Sequence, residues 1–182
     1  MTRTATKRLT KSDWLMTGLN AVVDAGPEAL KAEPLARRLG TTKGSFYWHF
    51  SDVPAFHAAL LAAWEMEATG DIRAAVAEET TPVARLRRLG QAMVERSANH
   101  TADPSIRAWA RSSKLAEQAV ARVDARRLTY VQELLSDLDI GNPEMARIIY
   151  AASIGMEDLA QTETGENAST MGSLVDLVLA LR

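Results

Sequence analysis

The sequence from Gly40 to Phe50 reads GTTKGSFYWHF and holds four aromatic rings among its last five residues. Only 5% of the chain is aromatic, so this stretch concentrates rings that are rare elsewhere. Such a concentration indicates either part of a core or a contact surface. Phe46 and Phe50 lie four residues apart and therefore share one face of a helix. We predict that both rings are buried against the leucines of the preceding helices, Leu15, Leu19, Leu35 and Leu39.

The other aromatic residues of the stretch point away from that face. Two large neighbouring rings on so short a helix cannot both enter a three-helix core, so Tyr47 and Trp48 are not both core residues. The hydroxyl of Tyr47 and a ring nitrogen of His49 can each donate a hydrogen bond to a phosphate. Trp48 has two interpretations, either a contact residue or a wedge against the next helix.

The residues before the rings are typical of a helix-turn-helix, in which a glycine-containing turn joins two short helices. Here the turn is Gly40-Thr41-Thr42. Thr42 caps the second helix, whose free N–H groups, together with Lys43, suit a DNA phosphate. Gly44 lets the backbone approach a phosphate or a base, and Ser45 can bond to either.

The rest of the chain is also predicted to be helical, because sustained β-branched alternation and Asn-Gly or Asp-Gly turns are missing. Thr10 caps the first helix, with Asp13 in its first turn, and Gly26-Pro27 ends it. Together with the other breakers this predicts an all-α fold of about nine helices: a three-helix head, residues 1–50, on a larger helical body, residues 51–182. The predicted helices span residues 10–25, 34–39, 42–48, 51–79, 82–99, 104–111, 113–138, 143–161 and 168–182.

The composition is that of an ordinary soluble globular protein, with 47% hydrophobic and 24% charged residues among 182. The chain has no cysteine, which excludes disulfides and a thiol nucleophile and fits a reducing cytoplasm. The basic start MTRTATKRLTKSDW is followed by no apolar run, so we expect neither a secretory signal nor a membrane span. We therefore predict a cytoplasmic protein.

Charge is distributed unevenly along the chain. Residues 1–50 hold 8 Lys and Arg against 4 Asp and Glu, a net charge of +4. The remaining residues hold 13 against 19, a net charge of −6. This pattern indicates either an anion-binding face on the head or a solvated basic segment.

The segment LARRLGTTKGSFYWHFSD resembles the helix-turn-helix signature of the tetracycline-repressor (TetR) family. Gly26 also falls where that family has a glycine. The resemblance covers about residues 8–60, and beyond them only helical pattern and length agree. The matching positions, without a gap, are Leu35, Ala36, Leu39, Gly40, Thr42, Lys43, Gly44, Ser45, Phe46, Tyr47, His49 and Phe50.

The resemblance implies a homodimeric repressor of transcription, which binds a palindromic operator in double-stranded DNA and is released by an unidentified small-molecule effector. The implied DNA contacts are Lys43, Ser45, Tyr47 and His49. The predicted interface is completed by Thr42, Gly44, Trp48 and Lys31. The arm residues Arg3, Lys7 and Arg8 are available for the DNA backbone or the minor groove.

Two positions depart from the family pattern. The family commonly has a lysine at the start of helix four, where this chain has Val53. It also commonly has a threonine before helix two, where this chain reads Lys31-Ala32-Glu33; Lys31 can replace a phosphate contact, whereas Glu33 opposes one. The alternative hypothesis is therefore a helical small-molecule or partner-binding protein with a weakened DNA-reading head.

The body offers candidate pocket and dimer residues, although large side chains at helical spacing are more often plain core. The run ARVDARRLTY, with Arg122, Arg126 and Arg127, is either a solvated helix face or an anion site. The candidate pocket residues are Trp64, Met93, Trp109 and Tyr130. The candidate dimer residues, which an intramolecular contact would also explain, are Ile148, Ala152, Met156, Leu174, Leu177, Val178 and Leu181.

An enzyme is not predicted, and neither is a cofactor or a metal. His49, His57 and His100 lack metal-ligand spacing, and His57 is expected on the surface of helix four. GTTKGS has the wrong order and length for a nucleotide phosphate loop, and no Gly-x-Ser-x-Gly elbow occurs. An all-α enzyme stays a third hypothesis for which the sequence nominates no catalytic group.

Overall fold

A computed structural model describes residues 9–98, 102–159 and 167–180. Within these ranges the chain is helical and has no strand, which confirms the predicted all-α fold with about nine helices. None of the described helices is long and apolar enough to span a membrane. The helices are α1 (Lys11–Ala25), α2 (Ala32–Arg38), α3 (Lys43–Tyr47), α4 (Val53–Ala75), α5 (Pro82–Ala98), α6 (Asp103–Ala110), α7 (Lys114–Ser136), α8 (Pro143–Leu159) and α9 (Asn167–Leu179).

The chain forms two compact units, Met1–Trp64 and Glu65–Arg182, here called the head unit and the body unit. The division between them falls inside α4. The first turns of α4 belong to the head unit because Phe56 and Leu60 are fully buried there beside Gly18 of α1. The boundary at residue 50 that the sequence predicts, between a three-helix head and a larger helical body, stays a prediction.

The helix ends of the head unit follow from local chemistry. Thr10 caps α1 as predicted, and its own backbone N–H donates to the carboxylate of Asp13, which makes the cap a reciprocal capping box. α2 begins at Ala32, two residues earlier than predicted, because Pro34 then stands at the third helical position, where no intrahelical N–H bond is needed. Gly40 has a φ of 62°, the left-handed conformation that glycine adopts readily, and so turns the chain toward α3.

An aromatic cluster forms the core of the head unit. Phe46 is fully buried and its ring centroid lies 5.4 Å from those of Trp14 and Phe56, edge to face in both pairs. Phe50 is also buried, and its ring lies 4.9 Å from that of Phe56. Gly18 permits this packing, because a Cβ there would lie 2.6 Å from Phe56 Cζ. The predicted burial of Phe46 and Phe50 is therefore confirmed.

The leucines that the sequence suggested as partners of these rings contribute unequally. Leu35 is fully buried, whereas Leu15, Leu19 and Leu39 are only half-buried. The rings instead contact one another and Trp14, which the periodicity of α1 did not single out.

The core of the body unit lies among α5, α7, α8 and α9, where α5 packs closely along α9. At this contact Gly90 faces α9, and a Cβ there would lie 3.1 Å from atoms of both Met171 and Val175. Burying apolar side chains on four helices in this way supplies most of the driving force for folding the unit. The fully buried side chains of this core include Leu86, Leu89, Ala146, Ile149 and Met171.

Candidate nucleic-acid interface and body clefts

The five-residue helix α3 separates its aromatic residues between core and surface. Phe46 is fully buried, whereas Tyr47 is 47% exposed and Trp48 is 88% exposed. Trp48 is the C-cap of the helix, and its exposure rules out the wedge interpretation. A large exposed ring is a common feature of contact surfaces, because burying it on binding yields more apolar area than any other side chain.

The polar residues of the predicted interface surround these rings. Thr42 caps α3 by accepting a hydrogen bond from the backbone N–H of Ser45 at 3.4 Å, as predicted. Lys43 and Gly44 are exposed, and a Cβ on Gly44 would meet only Thr42 Oγ1 at 3.7 Å, so packing does not require this glycine. The turn and α3 therefore present Thr42, Lys43, Gly44 and Tyr47 together on the surface.

His49 sits at the edge of this surface. It is half-buried, and its ring centroid lies 6.3 Å from that of Trp14 and 6.4 Å from that of Phe50. Ser45 is likewise half-buried. Both have less surface available for contact than Lys43, Tyr47 and Trp48.

The start of α2 carries paired charges. Lys31 Nζ lies 2.7 Å from Glu28 Oε2, and this hydrogen bond, with the lysine's charge, lowers the pKa of Glu28. Glu33 lies 3.4 Å from Arg37 and is mostly exposed. Lys31, the N-cap of α2, makes no side-chain capping bond. Val53 begins α4 and is half-buried.

One sequence expectation in the head unit is wrong. His57 is not simply a surface residue, because it is half-buried and its Nε2 lies 2.9 Å from the carbonyl oxygen of Leu30. It thereby ties α4 to the 3-10 turn at Pro27–Ala29. A single-helix periodicity contains no signal for this contact, since the two residues lie 27 positions apart. Arg3, Lys7, Arg8, His100 and Leu181 lie outside the described residues.

The four candidate pocket residues of the sequence do not line one common cavity. Trp64 is buried in the head unit and Trp109 is buried in the body unit. Tyr130 lines a cleft of about 450 Å³ between α4 and α7 of the body unit, here called the α4–α7 cleft. Met93 lines a separate cavity of about 20 Å³, room for about one water molecule. Tyr130 is thus the candidate that opens onto a volume of ligand size, and the pocket assignment stays a prediction.

Two arginines of the body unit are held by carboxylates. Arg127 Nη1 lies 2.6 Å from Asp103 Oδ2, and both side chains are buried. Arg107 donates to both oxygens of Asp124, to which the hydroxyl of Tyr150 also donates at 2.6 Å. Burial opposes the charge on Arg127, but Asp103 and Tyr150 outweigh it and raise its pKa above the ordinary value. These contacts link α6, α7 and α8.

Glu157 on α8 borders the small cavity beside this network. Burial, reinforced by the negative charge of Asp103, raises the pKa of Glu157 from 4.5 to about 7, although Arg107 and Arg127 act in the opposite direction. A carboxyl group in such a site prefers its neutral form.

We expect Glu157→Gln to stabilise the body unit near neutral pH and to leave its stability at about pH 4 unchanged. As pH rises from 4.5 to about 7, Glu157 ionises in the unfolded chain while the folded protein retains its proton, so wild-type stability falls across this window. Because Glu157 is only half-buried, screening by water limits the gain to roughly 1–2 kcal/mol. Urea unfolding at several pH values tests this, and parallel pH profiles of the two proteins would contradict it.

The candidate dimer residues divide between the surface and the core of the protomer. Ile148 is 45% exposed and Leu177 is 62% exposed, whereas Val178 is buried in the core of its own body unit. Ala152, Met156 and Leu174 are half-buried and pack against that core. Leu159 at the end of α8, which is not among these candidates, is 59% exposed. The dimer assignment stays a prediction, and Val178 is explained by intramolecular packing.

Comparison with known proteins matches the head to a described family. Residues 17–52, which include all of α2 and α3, match the family model "Bacterial regulatory proteins, tetR family". A sequence search of curated proteins found no match.

Solved structures match nearly the whole chain. A putative TetR-family transcriptional regulator from Rhodococcus sp. aligns with a TM-score of 0.79 at 18% identity, over 93% of this chain and 98% of that one. SmeT, the repressor of the Stenotrophomonas maltophilia multidrug efflux pump SmeDEF, gives 0.65 at 15% identity, over 96% and 90%. The ketosteroid transcriptional regulator KstR2 of Mycobacterium tuberculosis gives 0.64 at 17%, over 98% and 95%. At these identities the matches establish a shared fold.

Proposed function

Since residues 17–52 match the model of the tetR family of bacterial regulatory proteins, we propose that the chain is a member of that family and a ligand-responsive, DNA-binding regulator of transcription. The observation that carries the proposal is the division of residues in α3. Phe46 fixes the helix to the core, while Lys43, Tyr47 and Trp48 remain on the surface beside a capped, glycine-containing helix start.

The exposed groups of α3 suit a DNA duplex. Lys43 supplies a positive charge, Tyr47 supplies a hydroxyl donor, and Trp48 supplies a broad apolar ring. The second helix of a helix-turn-helix lies in the major groove and presents such side chains to phosphates and base edges. The net charge of +4 on residues 1–50 favours the same partner.

The body unit has the complementary role in this proposal. Its α4–α7 cleft is large enough for a small molecule, and the proteins of similar fold include a repressor of a multidrug efflux pump and a ketosteroid regulator. In this proposal the chain is a repressor, and a small molecule bound in the body releases it from DNA. The proposed site of its action is the cytoplasm.

A homodimer is the assembly that this function requires, because a palindromic operator pairs with a two-fold symmetric protein. Exposed apolar side chains on α8 and α9, among them Ile148, Leu159 and Leu177, support α8 and α9 as the dimer surface. Sedimentation of the protein without DNA tests this part of the proposal independently of DNA binding.

The experiment that tests DNA reading is selection of bound duplexes from a random pool, followed by footprinting. A palindromic consensus is expected, and its half-site spacing gives the dimer geometry. Affinity for the selected duplex should fall steeply with salt, with a log-log slope of about −0.9 for each neutralised phosphate. Absence of any selected sequence, or salt-insensitive binding, would overturn the proposal.

We expect Lys43→Ala to weaken binding to the selected duplex by about tenfold, because it removes a charge-assisted contact. If Lys43 contacts a phosphate, the salt slope also falls by about 1 and all sequences weaken alike. Lys114→Ala is the matched control, since Lys114 is an exposed lysine of the body unit. Equal affinities of the two variants for DNA would remove α3 from the DNA-reading role.

The alternative, a helical binding protein with a weakened head, is favoured by the charges at α2. Glu28 neutralises Lys31, and the exposed carboxylate of Glu33 would repel a phosphate. That hypothesis predicts ligand binding by the body without selection of any duplex from the pool.

A further inference from the structure

The α4–α7 cleft has the size of a small-molecule site. Its volume of about 450 Å³ lies within the range of ligand pockets, about 300–1,000 Å³. Ile72 and the ring of Tyr130 contribute apolar wall. The cleft lies wholly within the body unit, so its geometry follows from the packing of two helices of one compact unit.

Gly70 keeps part of this cleft open. It lies in the interior of α4, where glycine is among the least favourable residues. Neither its backbone conformation nor packing requires it, because its φ is not positive and a Cβ there would meet no atom within 4 Å. The glycine therefore leaves room where most side chains would extend into the cleft or over its edge.

Three arginines border the cleft, and their partners distinguish them. The guanidinium of Arg127 is committed inward, to Asp103 and to the carbonyl of Ala68. Arg73 stacks 4.4 Å above the ring of Tyr130 and lies 3.3 Å from Glu133.

Arg126 differs from both. It is exposed, and within the part of the chain that the structure describes it makes no ion pair or hydrogen bond. Arg126 therefore places a positive charge without a paired carboxylate at the edge of a partly apolar cleft. The net charge of residues 51–182 as a whole is −6, so the charge at this edge is opposite in sign to that of the rest of the body. Such a pairing of charge and apolar wall favours molecules that carry one negative group on an apolar body.

We propose that the α4–α7 cleft binds an organic anion, with a single carboxylate or sulfonate held by Arg126 and an apolar body against Ile72 and Tyr130. Arg73 provides a second cation at the same wall. The role of this molecule as the effector rests on the proposed function. Its binding to the cleft does not, because binding requires no DNA. It also resolves the arginine run of α7: Arg127 is structural, Arg122 pairs with Glu65, and Arg126 serves the cleft.

The test compares two fluorescent probes of the same ring system on the full chain without DNA. One is 8-anilinonaphthalene-1-sulfonate, which carries the anion, and the other is N-phenyl-1-naphthylamine, which does not. We expect Arg126→Gln to weaken binding of the sulfonate about tenfold and to leave that of the neutral probe unchanged. Arg111→Gln, which removes an exposed arginine outside the cleft, is the matched control.

A second pair of variants tests where the apolar part of each probe binds. Gly70→Leu should fill the cleft and weaken both probes, whereas Gly70→Ala should leave both bound, because its methyl group meets no atom within 4 Å. The neutral probe also controls for apolar surface exposed by partial unfolding, which the sulfonate alone would report. Equal binding of the sulfonate by the Arg126→Gln and Arg111→Gln variants, or unchanged binding by Gly70→Leu, would overturn the assignment. Failure to select a DNA duplex would leave this result untouched and would count against the proposed function alone.

Discussion

Replacing Phe46 by alanine is expected to lower the free energy of unfolding of the head unit by about 3–5 kcal/mol, the loss typical of a buried aromatic ring. The ring is fully buried and packs edge to face against both Trp14 and Phe56. Its removal costs the transfer of the ring and leaves a cavity that these large neighbours cannot fill without moving. Urea unfolding of the full chain, followed by circular dichroism and tryptophan fluorescence, measures the loss.

Trp48→Ala is the matched control for this prediction. It removes a larger ring two residues further along the chain, but that ring is 88% exposed, so we expect a change within about 0.5 kcal/mol. Phe46→Leu, which keeps most of the apolar volume, should cost about 1 kcal/mol. Equal losses from Phe46→Ala and Trp48→Ala would show that the aromatic cluster is not the core of the head.

Replacing Arg127 by methionine is expected to destabilise the body unit by about 3–5 kcal/mol, since it leaves the buried carboxylate of Asp103 without this cation. Methionine retains much of the aliphatic stem, so the loss reports charge rather than volume. Thermal and urea unfolding of the variant measure it.

The double variant Arg127→Met with Asp103→Asn separates the effect of the ion pair on stability from the effect of leaving one charge buried without its partner. Removing both charges avoids the buried unbalanced charge, so the double variant should recover most of the loss. A double variant as unstable as Arg127→Met alone would show that the ion pair is not what makes Arg127 necessary. Arg126→Met is the neighbouring control, expected to change stability by less than about 0.5 kcal/mol because Arg126 is exposed.

The sequence predicted the helix boundaries that a capping side chain or a glycine sets, but Pro34 misplaced the start of α2 by two residues. Thr10 and Thr42 cap α1 and α3 as expected, and Gly40 begins the turn that follows α2. The end of α4 was misplaced, because no glycine or proline marks it. The α-helix ends at Ala75, four residues before the predicted end. The chain then continues in tighter turns, one of which is closed by the hydrogen bond from Ala77 N to Ala74 O.

The sequence could not predict which side chains on different helices contact one another. Periodicity identified the buried face of Phe46 but not Trp14, which lies 32 positions earlier on another helix. The same limit applies to the arginines of α7. Arg126 and Arg127 are adjacent and identical in type, yet one is exposed and the other is buried against Asp103 of α6. The packing of α4 and α6 against α7 distinguishes them, because Ala68 of α4 and Asp103 of α6 both hold Arg127.

The exposure of Trp48 also gives the protein an optical property. Of its four tryptophans, Trp14, Trp64 and Trp109 are 0–6% exposed, so Trp48 alone offers its indole ring to dissolved quenchers. Iodide in the solvent therefore extinguishes chiefly the emission of this ring, at the end of α3. The natural sequence thus carries its own label at the predicted DNA contact, and shielding of that emission follows occupation of the interface without any attached dye.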